Sequence, residues 1–162
     1  MLLDPPGTSC TLPHWPYAQA VDEALTARGI APGKIRAGSM GREHGETMYL
    51  MLAWDVSRTH GIGGLRMTWT EETGWAYTPL GANPRIQGPH RPLTPLRRIF
   101  ARPDDVAEVA DRLVRAWRTP TGDYHAEWDA ADKMRTAIAD FRDHSHSSRP
   151  VRHTGGGSAD GR

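Results

Sequence analysis

The stretch MTWTEETGW, Met67 to Trp75, sets two tryptophans around two adjacent glutamates, and its reading decides the fold. Side chains alternate along a strand, so a one-residue slip in a hairpin sends every one of them to the opposite face. A three-residue loop of Glu72, Thr73 and Gly74, with Gly74 in the left-handed conformation, pairs Glu71 with Trp75, Trp69 with Tyr77 and Met67 with Pro79. Leu65, Met67, Trp69, Trp75 and Tyr77 then share one face, and Arg66, Thr68, Thr70, Ala76 and Thr78 the other. That division belongs to an antiparallel sheet covered on one surface only. A four-residue loop would separate the tryptophans and mix the two sets. The shorter loop also leaves Glu71 and Glu72 at a wet tip, where their charge costs little.

Upstream, TMYLMLAWD places Met48, Leu50, Leu52 and Trp54 on one side and Tyr49, Met51 and Ala53 on the other, which predicts a central strand. Before it, Pro32 to Glu46 reads as a Gly-rich, charged loop. HWPYAQAVDEALTARGI reads as a first helix, with Pro16 in the first turn, Ala18, Val21, Ala24 and Leu25 as its apolar stripe, and Gly29 closing it so that Ile30 folds back.

Downstream, Leu80 to Arg102 is a long Pro-rich crossover, with a short strand expected at RRIF. PDDVAEVADRLVRAW is the strongest helix signal: Pro103 suits its first turn, Asp104 and Asp105 complement the dipole, and Val106, Val109, Ala110, Leu113, Val114 and Trp117 form the buried stripe. Asp123 is placed to cap a further helix to about Asp143, with Trp128, Ala131, Met134, Ile138 and Phe141 as a narrow stripe. A core-packing helix is the simpler reading, against one that docks on a partner or a second copy. From His144 onward the chain has almost no apolar content and is expected to be disordered.

These elements compose an α+β fold: a three- to four-stranded antiparallel meander, helices packed on one face, and an extra C-terminal helix. The expected organisation is an irregular segment over 1–12, the α+β domain over 13–118, an appended helix over 119–143 and a tail over 144–162. With 162 residues the chain suffices for one domain with a sizeable core.

Composition narrows the function classes. The net charge of +1 argues against a body that is basic all round for nucleic acid, although local patches remain open. The single cysteine, Cys10, can form no internal disulfide and points to a reducing cytoplasm. MLLDPPGTSC lacks the basic residues and apolar run of a secretory signal, and no window approaches the roughly 20 apolar residues of a membrane span. Usage of 18 Arg against 2 Lys carries the mark of a GC-rich coding sequence.

Several motifs fail on chemistry. Glu71 and Glu72 are neighbours on a strand, point to opposite sides and lack a nucleophile or cleft, so no acid/base pair is read there. AGSMG, with Ser39, imitates a nucleophile elbow and HGIGG an oxyanion loop, but no helix follows Ser39 and the order along the chain is reversed. Asp143, His144 and His146 in DHSH make at most a weak chelate, and no zinc motif accompanies them. Gly61, Gly63 and Gly64 lack the spacing of a phosphate loop. No catalytic, cofactor-binding or metal-binding residue is therefore assigned.

One surface stands out. Between Thr73 and Pro103 there is no Asp or Glu, while Arg85, Arg91, Arg97, Arg98 and Arg102 all occur, a local charge of +5. Such arginines can grip phosphates or an acidic protein surface. They can equally pair internally with Asp104, Asp105, Glu108, Asp111, Glu71 or Glu72.

The order of elements, the hairpin LRMTWTEETGW and the later ARPDDVAEVADRLV resemble a family of small actinobacterial domains of unknown function, over about Trp15 to Trp117. The resemblance implies the same fold and origin and brings no catalytic residues. The expectation is a non-enzymatic interaction or regulatory module that uses the Arg-rich crossover, the exposed sheet face or the last helix as its contact surface, partnered by another protein or a second copy. One alternative is a nucleic-acid binder using the five arginines. A second is a small enzyme assembled from distant residues such as His60, Glu71 and His90.

Overall fold

The computed structural model describes residues 12–42, 45–60, 63–81, 87–118 and 121–147. Helix α1 spans Trp15–Ala27, with Pro16 at its first turn, where a missing N–H does no harm. Gly29 ends it at φ +70°, and Ile30 folds back to donate its N–H to Leu25 O at 3.1 Å. Trp54 Nε1 donates to Ile30 O at 2.7 Å, which ties the helix exit to the sheet.

The sheet has five antiparallel strands in meander order: β1 (Lys34–Arg42), β2 (Gly45–Trp54), β3 (Gly64–Thr70), β4 (Gly74–Leu80) and β5 (Arg91–Pro92). Strand β1 overturns the expected loop over Pro32 to Glu46. Its glycines hide the alternation, but β2 offers it a full ladder from Lys34↔Ala53 to Arg42↔Gly45. The expected strand at RRIF is absent too. The fifth strand sits earlier, where Ala76 pairs with Pro92 and Tyr77 with Arg91.

In the decisive hairpin, Thr70 pairs with Gly74, Trp69 with Trp75, Met67 with Tyr77 and Leu65 with Pro79. The loop is three residues long, but it is Glu71, Glu72 and Thr73, one residue earlier than the sequence reading placed it. The register therefore moves by two, an even number, and the division of faces survives intact. Gly74 does take a positive φ, +73°, immediately after the loop.

Leu50, Leu52, Trp54, Leu65, Met67, Trp69, Trp75 and Tyr77 form the inner face, nearly all fully buried. Helix α2, Pro103–Ala116, packs Val106, Val109, Ala110, Leu113 and Val114 into that core beside Tyr17, Val21 and Leu25 of α1. Trp117 is half-buried and ends α2 in the left-handed conformation at φ 51°, so it stops the helix as well as flanking the stripe.

Helix α3 is Ala131–Ser147, and Asp123 does not cap it. Residues 121–128 instead form an extended strap, with a turn at 129–130 leading into α3. Tyr124 bridges to Leu96 and Glu127 to Ala101, and Trp128 N–H donates to Phe100 O at 2.8 Å. Ala131, Met134 and Ile138 are buried in the common core, so α3 is a core-packing helix. It continues past Asp143; the tail beyond Ser147, like residues 1–11, lies outside the described residues.

Candidate functional site: the outer face of the sheet

The aromatic residues of the hairpin belong to a structural hub. Tyr17 donates to Ala101 O at 2.8 Å and accepts from Trp75 Nε1 at 3.0 Å, while Trp69 Nε1 donates to Ile99 O at 2.7 Å. Phe100 and Trp128 pack on the same Tyr17 ring at about 5 Å. Burial pushes the Tyr17 phenol well above its ordinary range, so it stays a neutral hydrogen-bonding pivot.

Glu71 is not at a wet tip. Its side chain is 10% exposed and accepts from Met48 N–H at 2.8 Å and from Arg142 of α3. Glu72 accepts from Thr47 Oγ1 at 2.7 Å. The sequence reading missed both roles because the donors lie far along the chain.

The example trio His60, Glu71 and His90 is not brought together. His60 precedes β3 and Glu71 follows it, so a seven-residue strand of roughly 23 Å separates them. His90 lies elsewhere, with Nδ1 3.3 Å from Thr78 Oγ1. Among the described residues, no three His, Cys, Asp or Glu side chains converge as a metal ion would require. A cavity of 330 Å³ between Trp54, Val56, Gly64 and Leu80 has one carboxylate in its lining, Asp55. Ser57 already engages that group through Oγ and N–H, which holds its pKa below the usual range.

The arginines of the crossover are dispersed. Arg97 pairs with Asp123 at 2.8 Å, Arg98 Nε donates to His125 O at 3.3 Å, and Arg102 stands 3.8 Å from Asp104. The internal pairing thus occurs mostly with the strap over 121–127, a neighbour that charge patterning did not single out. Arg91 is exposed on β5, and Arg85 lies outside the described residues.

A different basic surface emerges on the outer face, which no described helix covers. Its cross-strand rows follow from the register. Lys34, Ala53, Arg66 and Thr78 form one row; Arg36, Met51, Thr68 and Ala76 the next; Gly38, Tyr49, Thr70 and Gly74 the third. Every charged residue in these rows is basic. Lys34 and Arg36 are exposed and enter no ion pair among the described residues, and Arg66 makes only a long contact, 3.4 Å, to Gln87. Tyr49 lies on Gly38, where a Cβ would stand 2.8 Å from its ring atoms. Beyond these rows, Met40 is 40% exposed at the rim.

Sequence reasoning named Arg66 and the threonines of this face but missed Lys34 and Arg36, because they were assigned to a loop. The available signal was KIR, in which two cations flank an apolar residue at strand spacing.

A model of a family of unknown function (DUF6292) matches residues 17–112, which takes in the whole sheet and most of the two helices that cover it, but not α3. No curated protein and no solved structure matches the chain.

Proposed function

The chain belongs to the DUF6292 family of unknown function, and we propose that it is a non-enzymatic interaction or regulatory module that binds an acidic protein surface through the outer face of its sheet. The observation that carries this reading is the charge of three cross-strand rows on that face: Lys34, Arg36 and Arg66 with no acidic residue in those rows, Glu72 lying beyond them against Thr47. Met51, Ala53 and Thr68, all partly exposed, fill the spaces between the cations, giving a surface that can be desolvated without stranding many polar groups, while Ala76 and Thr78 at its β4 end are already buried. No helix among the described residues is long and apolar enough to cross a membrane. The lone Cys10 favours a reducing cytoplasm and the preference for Arg over Lys a GC-rich genome, in keeping with the actinobacterial origin that the resemblance implies.

A protein partner is favoured over nucleic acid by the aromatic content. Sheets that bind RNA stack bases on two or three rings, whereas Tyr49 is the one aromatic residue in these rows. The five crossover arginines are the competing surface, and three of them already have acidic or carbonyl partners.

Fluorescence anisotropy of labelled polyglutamate and random-sequence single-stranded DNA, at low and physiological salt, tests the proposal. Arg36→Glu with Arg66→Glu should abolish polyglutamate binding by a folded protein, while replacing Arg91, Arg97 and Arg98 by Ala should leave it. Preferential DNA binding that disappears with the crossover arginines would instead establish the nucleic-acid reading.

A further inference from the structure

The two edges of the sheet are unlike. One closes with β5, two residues long, whose Pro92 has no N–H to offer. The other is β1, nine residues hydrogen-bonded on one side only among the described residues, since β2 is its single neighbour there in the strand order. Alternate residues of such a strand direct their N–H and C=O groups away from the sheet. Long edges of this kind are commonly shortened, bulged or covered. None of the described elements covers this one.

We propose that β1 is a strand-addition site for an extended acidic segment of a partner protein, a mode of binding that rests on the acidic-partner reading above and specifies it. Backbone hydrogen bonds would supply affinity, and the side chains of β1 would choose the sequence. Its outer row presents Lys34 and Arg36, both exposed and without an ion pair among the described residues. An incoming strand with carboxylates on alternate residues sets them beside those cations, where opposite charges across a strand pair are favourable. Met40, exposed farther along the same side of β1, offers an apolar contact to a residue on that face of the ligand.

The charges also argue against a second copy. Full-length antiparallel pairing of β1 with itself sets Lys34 opposite Arg42, and no residue of KIRAGSMGR is acidic. Like charges directly opposed are destabilising, so the occupant is a complementary strand.

The probe is a blocked eight-residue peptide of alternating Glu and Val, titrated into the full chain by anisotropy. Hydrogen exchange of the β1 amides is read in parallel. The comparison peptides have the same sequence with alternate backbone nitrogens methylated, in both phases, which removes hydrogen bonds while retaining the charge. We expect methylation in one phase to weaken binding by about tenfold or more, and the unmodified peptide to protect β1 amides from exchange. Arg36→Glu should weaken the Glu peptide and favour its Lys counterpart. Equal affinity for all methylated forms, with no protection of β1, would overturn strand addition while leaving the acidic-partner reading intact. A chain that binds polyglutamate but not the alternating peptide overturns it in the same way, and a chain that binds neither overturns both.

Discussion

The Glu71 carboxylate accepts hydrogen bonds from Met48 N–H at 2.8 Å and from the Arg142 guanidinium, so one side chain at the hairpin turn joins β2, β3 and α3. Glu71 N–H also donates to Met48 O at 3.2 Å, extending the β2–β3 ladder one residue into the loop. Arg142 Nε donates to Glu46 O at 3.1 Å and completes the clasp. A glutamate that looks like a solvated tip in the sequence is therefore a joint between distant elements.

Glu71→Ala should destabilise the fold by ~1–3 kcal/mol, because it strands the Met48 N–H and leaves Arg142 without its carboxylate. The partial exposure of Arg142, 35% of its side chain, keeps the value below that of a fully buried pair. Glu71→Gln retains an acceptor for Met48 and should lose less. Urea denaturation of both variants measures the difference, and equal midpoints for wild type and Glu71→Ala would remove the clasp from the account.

Truncation after Thr121 should abolish cooperative melting. Ala131, Met134 and Ile138 each lie at 3% exposure or less in the common core, and the strap that precedes them caps the Tyr17 ring with Trp128. Loss of those residues exposes the aromatic hub to water. A truncated chain that melts with an undiminished, sharp calorimetric transition would mean that the core closes without α3.

Acid should weaken the fold through His14. The ring is buried, stacks on Trp69 and engages Tyr49 O through Nε2 at 2.9 Å; because a carbonyl only accepts, Nε2 carries the proton. Burial lowers its pKa below the ordinary 6.5, outweighing the bond to the carbonyl. Below about pH 6.5 the unfolded chain takes up a proton that the folded chain resists, so this contribution is complete at higher pH and declines as pH falls through that value. His14→Gln can keep a donor to Tyr49 without titrating. The loss of urea midpoint between about pH 7.5 and 5.5 should be larger in wild type than in the variant, and identical losses would exonerate His14.

Much of the fold was legible along the chain because β2, β3, β4 and α2 carry strong side-chain periodicity. Met48, Leu50, Leu52 and Trp54 alternate, and Val106, Val109, Ala110, Leu113 and Val114 recur at helical spacing; each pattern has one arrangement that buries its apolar set. The candidate surface was only partly legible: Arg66 and the threonines followed from the hairpin, while Lys34 and Arg36 did not.

Local sequence determined which residues of the central hairpin face the core, and that result survived an error of two in register because side-chain direction depends only on parity. Tertiary structure decided the rest. KIRAGSMGR carries too few side chains to declare itself a strand and becomes one because β2 supplies its ladder. Residues 121–128 extend because the backbone groups of Tyr124, Ala126 and Trp128 find partners at Pro95, Arg97, Phe100 and Arg102. Glu71 is largely withdrawn from water and paired because Arg142, 71 residues away along the chain, arrives to meet it. These outcomes depend on hydrogen bonds and charges between segments distant in sequence, and local periodicity carries no information about where such partners will stand.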